Sequence, residues 1–117
     1  MEQQLQSFRE RILAASAAGS TLRLRGNGTK DWYGQQLQGE LIDTTAYSGI
    51  IAYDPTELVI TARAGTTLRE IGKALSEKNQ MLAFEPPRFD GLATIGGIVA
   101  SALSGPRRQA VGAVRDF

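Results

Sequence analysis

Two residue types that carry much of enzyme chemistry are absent from this 117-residue chain, which has no cysteine and no histidine. Without cysteine, these residues form no disulfide, thiolate nucleophile or cysteine-ligated metal site. Without histidine, Ser-His and Cys-His catalysis are excluded, and so is the commonest transition-metal ligand. We also find no cluster of acids at metal-ligand spacing. The sequence therefore predicts no catalytic side-chain set and no metal site, so chemistry must come from a cofactor, another chain or further sequence.

Charge of one sign and long apolar runs are missing as well. The chain has 13 lysines and arginines against 12 acids, a net charge of +1, and the two signs are mixed along it. A nucleic-acid-binding protein needs a basic face to neutralise phosphates, so we expect no nucleic-acid partner. No apolar run reaches the roughly 18 residues of a membrane span, and the polar N-terminus lacks the layout of a signal peptide. We therefore expect a cytoplasmic protein without a membrane span.

The hydrophobic pattern predicts an α+β fold in one domain or a piece of one. Apolar residues at intervals of three and four predict a helix over residues 2–18 that ends at Gly19. Strands are predicted over residues 21–25, 40–44, 49–53 and 58–64. Thr67 and Glu70 form a capping-box signature for a helix that runs to about residue 78, and residues 95–103 can hold a short third helix. The predicted buried stripes are Leu5, Phe8, Ile12 and Ala15 in the first helix and Leu68, Ile71 and Leu75 in the second.

The first candidate site is the segment Arg25-Gly26-Asn27-Gly28-Thr29-Lys30, which directly follows the first predicted strand. Consecutive N–H groups in a glycine turn can form a concave nest for an anionic oxygen, and glycine lets a phosphate approach without meeting a Cβ. The flanking Arg25, Thr29 and Lys30 add donors or positive charge. Gly-Asn-Gly is also a common tight turn, and by itself this segment favours that interpretation.

The second candidate site is Thr94-Ile95-Gly96-Gly97, which stands before the small apolar stretch Ile98–Ala102. A helix that begins there would offer free N–H groups and its dipole to a phosphate. Alternatively, the glycine pair only lets two elements pack closely, and the sequence leaves both interpretations open. Neither the Gly-x-Gly-x-x-Gly fingerprint nor the Gly-Lys-Ser/Thr of a P-loop is present, which excludes two other phosphate-binding schemes.

In their order and spacing, these segments resemble the FAD-binding domain of the PCMH, or vanillyl-alcohol oxidase, type. The matching segments are Leu24–Thr29, Leu41–Thr44, Ala64–Leu75, Glu85–Pro87, Thr94–Gly97 and Gly112–Asp116. The resemblance implies an N-terminal α/β subdomain of that fold, made of a helix, a strand, a glycine loop, three strands, a helix and a short glycine-led helix. It also implies that the domain continues past Phe117, so we expect residues 1–117 to be its N-terminal part, without the substrate-binding residues.

The resemblance implies FAD as the cofactor and assigns no catalytic residue to this chain. The cofactor-binding residues that it implies are Arg25, Gly26, Asn27, Gly28, Thr29, Lys30, Pro86, Pro87, Thr94, Ile95, Gly96, Gly97, Ser101, Gly105 and Gly112. Residues 26–29 and the pair 96–97 are expected to donate main-chain hydrogen bonds to the pyrophosphate from its two sides. Some relatives tether flavin through a histidine where this chain has Thr29-Lys30, so non-covalent binding is expected. Many relatives have asparagine where Ser101-Ala102 stands, so that side-chain contact is not carried over.

Within the family, residues 41–50 and 85–87 are most similar to the FAD-binding subunits of bacterial glycolate oxidases. This likeness implies oxidation of glycolate to glyoxylate in a complex with a second flavin subunit and an iron–sulfur subunit. It also implies that any contact with the inner membrane is made through those subunits. The alternatives are a cofactor-free α/β module that docks partner subunits and another FAD-linked oxidase of the same family.

Three further candidates each have a structural and a functional interpretation. Trp32-Tyr33 can stack on an aromatic cofactor, but such pairs more often cap the edge of a core. Asp43 ends a strand, where aspartate is more often a turn former than a base. Arg107-Arg108 is either a phosphate clamp or a solvated pair in a loop.

Overall fold

The computed structural model describes residues 2–29, 31, 38–82 and 92–101. Within these ranges the predicted α+β fold is confirmed. The elements in chain order are helix α1 (Glu2–Ala18), strands β1 (Leu22–Arg25), β2 (Glu40–Asp43), β3 (Ile50–Asp54) and β4 (Val59–Ala62), and helices α2 (Leu68–Ser76) and α3 (Ile95–Ser101).

Helix α1 has the predicted bounds, but most of its predicted buried stripe is not in the core. It ends at Gly19, whose φ of +68° suits glycine at a helix C-terminus. Ala15 is buried, whereas Leu5 and Ile12 are 48% and 52% exposed. A 17-residue helix is about 25 Å long, about twice the length of a four-residue strand, so the neighbouring described strands cannot cover it. Helix periodicity correctly located the helix but overestimated its burial.

Strands β1 and β2 form a parallel pair whose carboxyl ends lie at the same edge. The register pairs Leu22 with Glu40 and Arg25 with Asp43. The pairing continues one residue further, because the N–H of Thr44 donates to the carbonyl oxygen of Arg25 at 3.0 Å. The loops that follow β1 and β2 therefore begin side by side.

Strands β3 and β4 form an antiparallel hairpin closed by an aspartate turn. The carboxylate of Asp54 accepts hydrogen bonds from the N–H and hydroxyl of Thr56, at 3.1 and 2.7 Å. Leu58 has a φ of +58° and belongs to this turn, so β4 begins at Val59, one residue later than predicted. It ends at Ala62 rather than at residue 64, although the N–H of Arg63 still donates to the carbonyl oxygen of Gly49 at 3.0 Å.

Helix α2 supplies three of the seven buried hydrophobic residues in the described part of the chain. Its N-cap is Thr67, whose hydroxyl accepts from the N–H of Glu70 at 3.2 Å, as the capping signature predicts. The predicted stripe of Leu68, Ile71 and Leu75 is buried. The helix ends at Ser76, two residues before the predicted end, and Asn79 at a φ of +55° completes the turn that closes it.

Gly65, before α2, and Gly72, inside it, have opposite surroundings, which gives a matched stability test. A Cβ on Gly65 would lie 2.6 Å from the carbonyl oxygen of Tyr47 and closer still to that of Thr44, whereas a Cβ on Gly72 would meet nothing within 4 Å. We expect Gly65→Ala to lower the free energy of unfolding by about 3 kcal/mol or more, because backbone must move. Gly72→Ala, inside α2, should raise it by about 0.5–1 kcal/mol.

Thermal and urea unfolding of the full-length apoprotein measure both changes. A Gly65→Ala protein as stable as the wild type would contradict the close approach of Gly65 to the segment after β2.

Candidate functional site

Two loops lead to one edge of the molecule, and each contains candidate residues from the sequence. The first glycine loop, Arg25–Thr29, leaves the carboxyl end of β1, and the second glycine loop, Leu92–Gly97, leads into α3. The segment after β2 lies beside the first loop, since Thr44 bonds to Arg25. In sheets with parallel strands, ligands bind outside the carboxyl ends of the strands, which is where these loops lie.

The segment between β4 and α2 supports this edge through hydrogen bonds to the residues that follow β2. The N–H of Gly65 donates to the carbonyl oxygen of Tyr47 at 2.8 Å. Thr66 is fully buried, and its hydroxyl accepts from the N–H of Gly49 at 2.9 Å and donates to the carbonyl oxygen of Gly49 at 3.1 Å. Sequence reasoning missed the role of Thr66. The Gly-Thr-Thr pattern could have indicated it, because only Thr67 is needed as the helix N-cap and Thr66 is left for another role.

The second glycine loop is attached to this support by main-chain hydrogen bonds. Leu68 N–H donates to the carbonyl oxygen of Ala93 at 2.9 Å, and Ile95 N–H donates to that of Thr66 at 2.8 Å. Thr67 and Thr94 form an antiparallel bridge between these two contacts. The loop is therefore fixed to the N-terminus of α2.

The glycine pair of the second loop lies inside α3, not before it, which corrects one expectation. The N–H of Gly96 donates to the carbonyl oxygen of Ala64 at 2.9 Å, and the N–H of Gly97 donates to the hydroxyl of Thr94 at 3.2 Å. Together with the bond of Ile95, the first-turn N–H groups are already used within the chain, so the expectation of free donors is wrong here. A Cβ on Gly96 would lie 2.9 Å from Ala64, which favours the close-packing interpretation for this glycine.

The first glycine loop differs in the use of its N–H groups at residues 26–28. No hydrogen bond among the described residues uses the N–H groups of Gly26, Asn27 or Gly28. Gly28 has a φ of +72°, a conformation that L side chains rarely adopt. Successive N–H groups around such a residue are the donors that an anion-binding nest uses.

The two glycine loops contact each other. The side-chain amide of Asn27 donates to the carbonyl oxygen of Leu92 at 2.6 Å. A Cβ on Gly26 would lie 2.6 Å from the hydroxyl oxygen of Thr94, so the absence of a side chain at Gly26 permits this approach. The sequence predicted that both loops serve one ligand, and the structure brings them together.

Arg25 forms an ion pair that the sequence did not predict. Its guanidinium lies over Gly28 and donates to the carboxylate of Asp31, with Nη2 3.0 Å and Nε 3.2 Å from Oδ2. The hydrogen bond to Asp31, followed by the charge of that carboxylate, raises the pKa of Arg25. Both side chains are about half exposed, so the pair orients Arg25 more than it stabilises the fold.

Asp43 is a turn former, as the sequence favoured. Its carboxylate accepts hydrogen bonds from the hydroxyl of Thr45 at 2.7 Å and from the N–H of Thr45 at 2.9 Å. The hydroxyl contributes most to lowering the pKa of Asp43, followed by the N–H, and the positive charge of Arg25 also contributes. A carboxylate with a lowered pKa is a poor general base.

Several predicted residues have no structural outcome or a limited one. Ser101 ends α3, where its hydroxyl donates to the carbonyl oxygen of Ile98 at 3.2 Å.

Among the described residues, no group of three or more acids could hold a metal ion. No described helix is both long and apolar enough to cross a membrane. The candidates that lie outside the described residues are Lys30, Trp32, Tyr33, Pro86, Pro87, Gly105, Arg107, Arg108 and Gly112.

Residues 3–117 match the family of FAD binding domains. The chain therefore belongs to that family, its α+β fold is that of the N-terminal part of such a domain, and FAD is its cofactor. The resemblance to PCMH-type flavoproteins is confirmed.

Two relatives narrow the comparison. The chain is 45% identical over 112 residues to glycolate oxidase subunit GlcE of Escherichia coli, a match that covers 96% of this chain and 32% of that protein. It is 30% identical over 79 residues to a D-lactate dehydrogenase of Anaerostipes hadrus, which covers 68% of this chain and 16% of that enzyme. The chain thus spans about a third or less of the length of these relatives. No solved structure matches the chain.

The Asp43 turn gives a test of the local electrostatics. Thr45→Val keeps the shape of the side chain but removes the hydroxyl donor, so the pKa of Asp43 should rise toward its ordinary value. Because the folded-state pKa is the lower one, Asp43 stabilises the fold above the ordinary aspartate pKa of about 3.9 and loses this contribution as pH falls through the folded pKa. In the variant that contribution should shrink.

Carboxyl carbon NMR titration measures the pKa directly. Thr56→Val is the matched control, because Thr56 makes the same hydroxyl contact to Asp54 and should leave Asp43 unchanged. An unchanged Asp43 titration in Thr45→Val would contradict the assigned cause.

Proposed function

We propose that the first glycine loop holds the pyrophosphate of FAD through main-chain N–H groups of residues 26–29. The observation that carries the proposal is the set of N–H groups of Gly26, Asn27 and Gly28, which meet no acceptor among the described residues and surround a positive φ. Such nests bind anionic oxygens, and the pyrophosphate is the most strongly anionic part of FAD. Arg25 and Lys30 add positive charge at the two ends of the loop.

In this proposal the second glycine loop forms one wall of the cofactor site. Since the N–H groups of Ile95, Gly96 and Gly97 donate within the chain, their role is to form a close, side-chain-poor wall beside the first loop. Thr94 and Ser101 belong to the same wall, and Pro86, Pro87, Gly105 and Gly112 complete the proposed site. With neither histidine nor cysteine, these residues offer no such side chain for a covalent flavin link, so we propose non-covalent binding.

For the whole protein we propose flavin-dependent oxidation of a 2-hydroxy acid, with glycolate converted to glyoxylate. The support is the 45% identity to a protein named as a glycolate oxidase subunit. FAD, when bound, accepts the two electrons released as the alcohol carbon becomes a carbonyl. The residues described above bind and orient the cofactor, and none is assigned to proton transfer. D-lactate is the second candidate substrate, because a relative named D-lactate dehydrogenase is 30% identical over 68% of the chain.

We further propose that the protein works as one subunit of a complex. The support is the word subunit in the name of the Escherichia coli relative. The proposed partners are a second flavin subunit and an iron–sulfur subunit, in the cytoplasm, with inner-membrane contact through those partners. Co-expression of the three chains followed by affinity purification tests the assembly.

Gly28 gives the sharpest test of the cofactor site. The full-length protein should be yellow and should release FAD when denatured. Gly28→Ala should weaken FAD binding about tenfold, because a Cβ at a φ of +72° costs about 1–2 kcal/mol and displaces the guanidinium of Arg25. Titration of apoprotein with FAD, followed by fluorescence, measures the affinity.

Gly72→Ala is the control, since a Cβ there meets no atom within 4 Å and the residue lies in α2. Equal FAD affinity for Gly28→Ala and the wild type would contradict the loop assignment. Wild-type protein that binds partners but never FAD would favour the cofactor-free docking module.

The substrate proposal is tested by reduction of the flavin. Anaerobic addition of glycolate to the full-length holoprotein, assembled with its partners, should bleach the flavin absorption band faster than D-lactate at the same concentration. The reverse order of rates would favour the D-lactate alternative, and no bleaching by either acid would contradict both.

A further inference from the structure

We propose that the side chain of Asn27 is a positioning residue that ties the two glycine loops into one cofactor site. This inference rests on the proposed function, but it concerns a different group. The proposed function uses the main-chain N–H of Asn27, whereas the tie is made by its side-chain amide. The tie joins two segments that are 65 residues apart in the sequence.

Two consecutive residues of the first loop meet the second loop. The amide nitrogen of Asn27 donates to the carbonyl oxygen of Leu92 at 2.6 Å. Its neighbour Gly26 has no side chain, and a Cβ there would lie 2.6 Å from the hydroxyl oxygen of Thr94. The hydrogen bond thus acts where Gly26 already lies against the side chain of Thr94, and its loss removes a link between the two loops.

The second loop is a firm anchor for this tie. Main-chain hydrogen bonds of 2.8–2.9 Å fix Ile95 and Gly96 to the segment before α2, and Ala93 to its first residue. Ala93 is fully buried and belongs to the core with Leu68 and Ile98. A bond from Asn27 to Leu92 therefore connects an exposed loop to the core one residue away from it.

The first loop needs such an anchor if its N–H groups are to bind an anion. It is fixed at its start by the bond from Thr44 to Arg25 and near its end by the bond from Asp31 N–H to Gly28. The donors of a nest bind tightly only when their directions are set before the ligand arrives. The tie at Asn27 holds the middle of the loop, between these two points.

An amide suits this position better than other polar groups. Asparagine donates to a carbonyl oxygen and tolerates turn conformations. Aspartate, when ionised, cannot donate and would place a negative charge beside a bound pyrophosphate. Main-chain binding alone would accept many side chains at residue 27, so the specific chemistry at this residue is that of the tie.

The test compares Asn27→Ala with a control substitution that removes a different side-chain amide from the full-length protein. Gln6→Ala removes another exposed side-chain amide that donates a hydrogen bond, here to Glu10 at 3.1 Å within α1. Hydrogen exchange of the apoprotein and FAD titration are both measured. For Asn27→Ala we expect faster exchange of the Asp31 and Thr44 amides, which donate to the carbonyl oxygens of Gly28 and Arg25 in the first loop. We also expect unchanged exchange in α2 and an FAD dissociation constant raised about threefold to tenfold, the range of one hydrogen bond. Gln6→Ala should change neither.

Other outcomes overturn the inference in distinct ways. Weaker FAD binding without faster loop exchange in the apoprotein would mean that the side chain contacts FAD directly. Faster exchange throughout α2 as well would mean that Asn27 supports the whole fold. Unchanged FAD affinity would show that the tie has no role in binding. Asn27→Gln, which keeps an amide donor, should recover part of the loop protection.

Failure of the inference is distinguishable from failure of the proposed function. The exchange measurement uses apoprotein, so it reports the tie whether or not FAD binds. Wild-type protein in which the Asp31 and Thr44 amides are protected but which binds no FAD would contradict the proposed function and leave the tie in place.

Discussion

Main-chain hydrogen bonds between residues 64–68 and residues 93–96 hold together the parts of the molecule on which the site depends. They join the N-terminus of α2 to the second glycine loop, and they position Ala93 and Ile98 against Leu68 in the core. The first glycine loop then rests on this assembly through Asn27. Gly65 and Gly96 are glycines for steric reasons, because a Cβ on either would lie within 3 Å of a backbone carbonyl oxygen. The site is thus organised by close backbone packing.

This arrangement separates two roles that glycine-rich loops often combine. In the second loop, glycine lets a helix begin directly against Ala64, and the N–H groups are used in doing so. In the first loop, the N–H groups of Gly26 and Gly28 meet no acceptor among the described residues, and glycine permits the turn that aims them. One loop uses its N–H groups for internal support, and the other offers them to the proposed ligand.

Much of the local structure was predictable from the sequence, because it depends on short-range signals. The capping threonine and the stripe of α2, the stop at Gly19 and the aspartate turns all involve residues within about four positions of each other. The burial of α1 was not predictable, because it depends on how much neighbouring structure faces the helix. Nor was the ion pair of Arg25 with Asp31, which forms only because Gly28 reverses the chain between them. The use of the Gly96 N–H depended on Ala64, a remote acceptor that no local pattern reveals.

The span of the Asn27 contact has a consequence for how the protein is made. During synthesis the chain leaves the ribosome N-terminus first, so the first glycine loop emerges long before its anchor at Leu92. Contacts of such sequence separation require closure of a long loop, and they form after the local helices and the β3–β4 hairpin. The contact between the two glycine loops is therefore completed late. A nascent chain that does not yet include Leu92 has the first glycine loop without its anchor. At the proposed site, flavin loading therefore belongs to the end of folding, after the two glycine loops have met.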